Sequence, residues 1–222
     1  MKSFLLGLCA IILFVFWWYL VPSTNHWNQK LTMYIDTPLG EVVASSVTGI
    51  KYTGIIRFLA PLDTVHLSLT GEAVVADLGQ GRFIFALLDE GNAWLPWAAY
   101  SDVYEAEGKG DFTRWIKVIT RQTEERDIPT ESYPMLVTFE DITDPTSMRE
   151  VDPADLAATF GDGYALARMT LQVTKEPVTE GVVEGALGWW NSLTVPIGGK
   201  VQRQFSDPLY GLGKWHFKRI SK

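Results

Sequence analysis

The chain has 222 residues, 47% of them hydrophobic, and its 26 acidic against 19 basic side chains give a formal net charge of −7. That balance argues against a nucleic-acid partner, which needs a basic footprint. Cys9 is the only cysteine, so no internal disulfide forms and the fold relies on packing.

From Phe4 to Val21 the sequence runs eighteen residues without a charge. A helix of that length spans roughly 27 Å, close to the hydrocarbon thickness of a bilayer. Twelve of the eighteen are Leu, Ile, Phe or Val, each favouring insertion by about 0.3–0.6 kcal/mol at the membrane centre. A cleaved secretory signal is the competing reading, with Lys2 as its charged start, but cleavage needs small residues after the apolar run. Here the run ends Phe16-Trp17-Trp18-Tyr19-Leu20-Val21-Pro22, which resembles the aromatic belt of a membrane interface. Cys9 lies mid-run behind Gly7-Leu8 and does not fit a lipidation site. The expectation is a permanent anchor, contacting lipid through Phe4, Leu13, Trp17, Trp18 and Tyr19.

Lys2 and the N-terminal amine favour an inside N-terminus, and Lys30 offsets part of that bias. The large C-terminal part, with no second span, is expected outside. Residues 1–30 read as anchor and juxtamembrane linker, and 31–222 as an extracytoplasmic domain. The missing disulfide, and the absence of an Asn-x-Ser/Thr sequon, fit a bacterial envelope better than a eukaryotic secretory route. The expected address is the bacterial inner membrane, N-terminus cytoplasmic and C-terminal domain periplasmic.

The rest reads mostly as β. Leu31, Met33 and Ile35 alternate with polar neighbours, and Thr37-Pro38-Leu39-Gly40 suits a turn before a returning strand, Glu41 to Ile50. Val65, Leu67 and Leu69 alternate next, and Glu72 to Ala76 continues beyond Gly71. The Gly79 and Gly81 pair suggests a hairpin turn rather than a phosphate loop, because strand-like residues follow it. Arg82–Leu88 is apolar on both faces. Asp89–Gly110 is among the least regular stretches. Phe112–Thr120 and Tyr133–Phe139 are predicted strands, and Ala165 to Thr174 alternates most cleanly of all.

Helix is expected to be scarce. Asp152-Pro153 is a start signal, Leu156–Phe160 gives a turn or two, and Gly161 or Gly163 ends it; Asp144-Pro145 could open another. The charged segment 122–132 is the one candidate internal boundary. The predicted fold is mainly β: an antiparallel sandwich or partly open barrel with one or two short helices, preceded by one transmembrane helix.

Catalytic and cofactor signals are weak, and none is assigned. No Gly-x-Ser-x-Gly or Ser-x-x-Lys motif occurs, and Ser45-Ser46 sits within a strand. His26, His66 and His216 lie far apart, the last two expected on the polar sides of strands, so no metal site is expected. Glu140, Asp141, Asp144, Glu150, Asp152 and Asp155 cluster, but without the spacing of a calcium loop. Tryptophan is the stronger signal. Trp94 and Trp97 lie in the uncharged stretch Gly91–Ser101, and Trp189 and Trp190 in Gly185–Gly199. If exposed, such aromatics form a contact surface; if buried, they are core. A basic tail follows, six Lys and Arg against Asp207 from Lys200 onward. It reads as a solvated terminus, or as a contact for anionic lipid or an acidic neighbour.

Several stretches together resemble a known family. They include Thr37-Pro38-Leu39-Gly40, Gly71-Glu72-Ala73-Val74, Phe85-Ala86-Leu87-Leu88, Tyr133-Pro134-Met135-Leu136-Val137-Thr138-Phe139 and Val151-Asp152-Pro153-Ala154-Asp155-Leu156. They resemble a family of uncharacterised proteobacterial proteins of similar length, many carrying one N-terminal hydrophobic segment. The likeness runs from about Leu31 to Gly188 and implies bacterial origin, with no activity or catalytic residue to transfer. The expected function is binding or scaffolding in the envelope, beside the bilayer and with an envelope protein as a possible partner. The alternative is a polysaccharide hydrolase working through paired carboxylates.

Overall fold

Alternation drives the first hairpin. Trp27, Gln29, Leu31, Met33 and Ile35, every second residue of strand β1 (Thr24–Thr37), are buried on one face. The computed structural model describes residues 24–54, 66–194, 197 and 207–220; the expected anchor, residues 4–21, lies outside them. The Thr37–Gly40 turn forms as expected. It returns the chain as β2 (Gly40–Thr53), which pairs with β1 from Thr24↔Thr53 to Thr37↔Gly40.

Two antiparallel sheets follow from this start. The first has six strands in the order β10-β3-β2-β1-β9-β6, adding β3 (His66–Glu72), β6 (Arg126–Asp127), β9 (Ala165–Thr174) and β10 (Lys218–Arg219). The second has four in the order β4-β5-β7-β8: β4 (Val74–Asp77), β5 (Phe83–Ala86), β7 (Leu136–Phe139) and β8 (Met148–Val151). The fold is mainly β with short helices, as the sequence suggests. Strand β9 keeps its predicted limits, and β6 falls inside the segment 122–132, paired to β9.

The four-stranded sheet is buried on both faces. Val74, Ala76, Ile84, Ala86, Leu136 and Val151 join Leu31, Met33 and Ile35 in one core. Their neighbours Ala73, Phe85, Leu87, Val137, Phe139 and Met148 join Val183, Leu187, Trp190 and Phe217 in a second. This explains the continuous apolar run at 82–88, which would be wasted on a sheet facing water.

Helix is more abundant than expected. Phe112–Thr120, read as a strand, is a helix over Phe112–Ile119. Phe112, Trp115, Ile116 and Ile119 recur at three- and four-residue spacing and turn to the first core. Asp111 Oδ1 accepts the Arg114 N–H at 2.9 Å and starts the helix. The β-branched Ile116, Val118 and Ile119 gave the segment its strand-like composition. The stretch before it also coils, as Gly91–Trp94, Leu95–Ala99 and a π-helical turn Tyr104–Gly108. The short helix Ala157–Phe160 ends at Gly161 as predicted.

The chain passes from one sheet to the other at Gly71-Glu72-Ala73. Gly71 has φ +125°, and a Cβ there would stand 3.1 Å from the Val47 carbonyl oxygen and 3.2 Å from Thr48 Cα, so only glycine fits. Glu72 is 1% exposed yet charged. Its carboxylate accepts the Gly181 N–H at 2.7 Å and the Val183 N–H at 3.0 Å, at the start of helix Val182–Ala186. Lys218 Nζ stands 2.8 Å away and also pairs with Glu184.

Burial alone would raise the Glu72 pKa, but Lys218 and the Val183 and Gly181 N–H groups outweigh it and hold the carboxyl below its ordinary 4.5. A depressed pKa stabilises the fold above the unfolded value, and that contribution is lost as pH falls through the folded one. Glu72→Gln is expected to lose about 3 kcal/mol at neutral pH, because it leaves Lys218 without its buried partner. Its stability should also fall less steeply than the parent's below pH 4.5. Urea unfolding across pH measures both. An acid limb unchanged by the substitution would assign the acid sensitivity to other carboxylates.

Candidate functional site

An aromatic stack fixes the coil between β5 and the helix Phe112–Ile119. The Trp94 and Trp97 rings lie 4.9 Å apart, Trp97 stacks on Phe112 at 5.2 Å, and Trp115 meets Trp97 edge-on at 5.4 Å. Phe112 reaches Tyr52 of β2 at 5.3 Å, tying the coil to the first sheet. Gly108 admits this packing, since a Cβ there would stand 2.7 Å from the Trp115 ring. Trp97 is half-buried, whereas Trp94 stays 44% exposed.

Trp94 stands on the rim of a cleft of about 290 Å³, whose other walls include Asp89, Asn92, Glu131, Ser132 and Tyr133. Asp89 and Asn92 lock each other: the Asp89 N–H donates to Asn92 Oδ1 at 2.7 Å, and the Asn92 N–H to Asp89 Oδ1 at 3.0 Å. A buried chain supports them from β1. Trp27 Nε1 donates to Gln29 Oε1 at 3.2 Å, and Gln29 Nε2 donates to the Asn92 carbonyl at 2.7 Å. Tyr133 forms the opposite wall, its hydroxyl accepting the Met169 N–H at 3.1 Å. Beyond Tyr133 lies a second cleft of about 420 Å³, lined by Pro153, Leu156, Tyr164 and Leu166 among others.

The four tryptophans singled out from the sequence are not brought together. Trp189 Nε1 donates to the Ile142 carbonyl at 2.7 Å, and its ring meets Phe139 edge-on at 5.6 Å. Trp190 is 6% exposed in the second core, where Lys214 Nζ donates to its carbonyl at 2.5 Å. Trp94 and Trp97 belong to the first core's edge.

Five of the six acids of 140–155 are engaged locally. Asp141 and Asp144 accept from the N–H and hydroxyl of Thr143 and Thr146, Asp152 and Asp155 accept the Ala154 and Ala158 N–H groups, and Glu140 pairs with Arg149. Among the described residues no three His, Cys, Asp or Glu side chains group as metal ligands. Ser46 Oγ, on β2, donates to the carbonyl of Glu72 at the end of β3. His26 and His66 are exposed on strands. His216, expected on a strand's polar side, instead sits buried in the turn Lys214–His216. Its Nδ1 accepts the Gly213 N–H at 2.9 Å, and burial lowers its pKa.

Asp89, Asn92, Glu131 and Ser132 carry no motif in the sequence. A weak signal was present in Asp89-Glu90-Gly91-Asn92, whose two Asx residues three apart suit reciprocal capping.

Gln29→Leu should destabilise the chain by about 1–3 kcal/mol, since it leaves the Trp27 indole N–H and the Asn92 carbonyl unpaired where they are buried. Thermal unfolding checks the size. Hydrogen exchange at Asn92 should accelerate more than exchange at Val173 in β9, and equal acceleration would mean the bond does not act on the cleft.

No protein family, curated protein or solved structure matches this chain.

Proposed function

We propose that the chain is a single-pass protein of the bacterial inner membrane whose periplasmic β-domain is a binding module, with the Trp94 cleft as its site. One observation carries the binding reading. Trp94 is 44% exposed on the rim of a cleft and is supported by packed rings, so a large apolar face is held ready for contact. A hydrolase working through the acids of 140–155 is less well supported, because Asp141, Asp144, Asp152 and Asp155 already cap turns and Glu140 pairs with Arg149.

The anchor reading rests on the uncharged run Phe4–Val21, which precedes β1 by two residues. Among the described residues no helix is long and apolar enough to cross a membrane. Topology adds support. Thr24 pairs with Thr53 and Thr53 with His66, so the start of β1 and both ends of the β2–β3 connection share one end of the sheet. That connection carries Ile55, Ile56, Phe58, Leu59, Leu62 and Val65, a composition suited to a membrane surface. The opposite tip, Leu39, lies roughly 45 Å away at about 3.3 Å per residue.

Two measurements test the reading. The full chain should stay with carbonate-washed membranes, and removal of residues 4–21 should release it. A phosphatase fused after Lys222 should be active outside the cytoplasm. Activity of a cytoplasm-specific reporter alone at that position would overturn the orientation.

A further inference from the structure

We propose that the Trp94 cleft binds a neutral, hydroxyl-rich glycan, one sugar ring stacking on the Trp94 indole while its hydroxyls bond to Asn92, Asp89 and Glu131. The proposal rests on the binding reading of this cleft and names its ligand class.

The hydrogen-bonding groups of the cleft are only half used. Asn92 is 4% exposed, and its Oδ1, backbone N–H and carbonyl are all engaged. Its Nδ2 makes no hydrogen bond among the described residues. Asn92 lines the cleft, so this unengaged amide nitrogen is a donor that a ligand oxygen would satisfy. Asp89 accepts from Asn92 through Oδ1, which leaves Oδ2 open. Glu131, exposed on the turn Thr130–Ser132, forms no hydrogen bond or ion pair among the described residues.

Donors and acceptors therefore face one space beside an apolar plate. A sugar hydroxyl both donates and accepts, and the C–H face of a sugar ring is the apolar surface that stacks on an indole. Other ligand classes fit less well. An anion meets Asp89 and Glu131 with no basic side chain on the wall to neutralise it. An ammonium would pair with the carboxylates but leave the Asn92 amide donors unused and facing positive charge. The rigid support of Trp94 by Trp97 and Phe112, and of Asn92 by Gln29, means little ordering remains to be done on binding.

The test is calorimetric titration of the full-length chain, purified in a zwitterionic detergent that carries no sugar. The probes are chitotetraose, cellotetraose and maltotetraose, with spermidine and inorganic phosphate as charged controls. At least one tetrasaccharide should bind saturably, with an affinity insensitive to salt. Trp94→Ala should weaken that binding about tenfold or more, and Glu131→Gln about threefold. Glu131 is exposed and outside the aromatic packing, so its variant reports even if Trp94→Ala fails to fold. The proposal is overturned if the parent chain binds none of the three sugars, or if the folded variants bind as the parent does. Salt-sensitive spermidine binding that Glu131→Gln abolishes would also overturn it, and would assign the cleft to a cation. The two readings fail separately. A chain that binds sugar but is not retained by membranes loses the anchor and keeps the glycan site, whereas an anchored chain that binds no sugar does the reverse.

Discussion

The buried charge of Glu72 organises this molecule. A carboxylate removed from water is tolerated only when cations and donors surround it. Here those groups come from 109 and 111 residues downstream, as the Gly181 and Val183 N–H groups, and from Lys218 near the end of the chain. Satisfying one side chain thus folds the C-terminal region back onto the junction of β3 and β4. Once there, the returning segment makes further bonds: the Ala73 N–H donates to the Phe217 carbonyl at 2.8 Å, and the Leu88 N–H to the His216 carbonyl at 2.6 Å. Phe217 then fills the second core against Phe85 at 5.5 Å. The second core depends on that return, because the strands of the four-stranded sheet alone would leave Phe85, Val137 and Phe139 facing water.

A sheet held on both faces makes a stiff platform, and the cleft is built from its strand ends. Asp89 and Asn92 follow β5 within a few residues, while Glu131 to Pro134 lead directly into β7. Strands β5 and β7 are paired, Phe85 with Val137 and Ala86 with Leu136, and the Leu87 N–H extends the ladder to the Met135 carbonyl. The two walls of the cleft are therefore fixed by the same ladder. Their spacing changes only if the ladder opens, and the apolar layers above and below oppose that.

Much of this was readable from residue order, where the signal was local. The turn at Thr37–Gly40, the ten-residue alternation of β9 and the Gly161 stop each depend on neighbours a few positions away. The helix Phe112–Ile119 was hidden by its β-branched residues, although Phe112, Trp115, Ile116 and Ile119 already marked a helical face. The cleft was hidden for a different reason. Its walls lie about forty residues apart, joined by a strand pairing that no local pattern specifies. The tryptophans show the same limit. Composition marked Trp94, Trp97, Trp189 and Trp190 alike, but tertiary contacts leave Trp94 on a cleft rim and enclose Trp190 in the second core.

The support of Asn92 by Gln29 links the site to the first strand in a specific way. Gln29 is 1% exposed, and among the described residues its amide bonds to Trp27 on its own strand and to Asn92 across the core. A buried amide of this kind tolerates little displacement, because moving either partner strands a polar group away from water. Asn92 is thus held at the height of Gln29, five positions after Thr24 and about 17 Å along the strand. With the apolar run of 4–21 inserted in a bilayer, that spacing sets the cleft close above the headgroups, far from the exposed hairpin tip at Leu39. In the proposed anchored arrangement, a site so placed would meet the membrane-proximal layer of the envelope. Under that proposed anchoring, ligands that begin at the bilayer surface would reach the cleft more readily than those that approach the domain from its distal end.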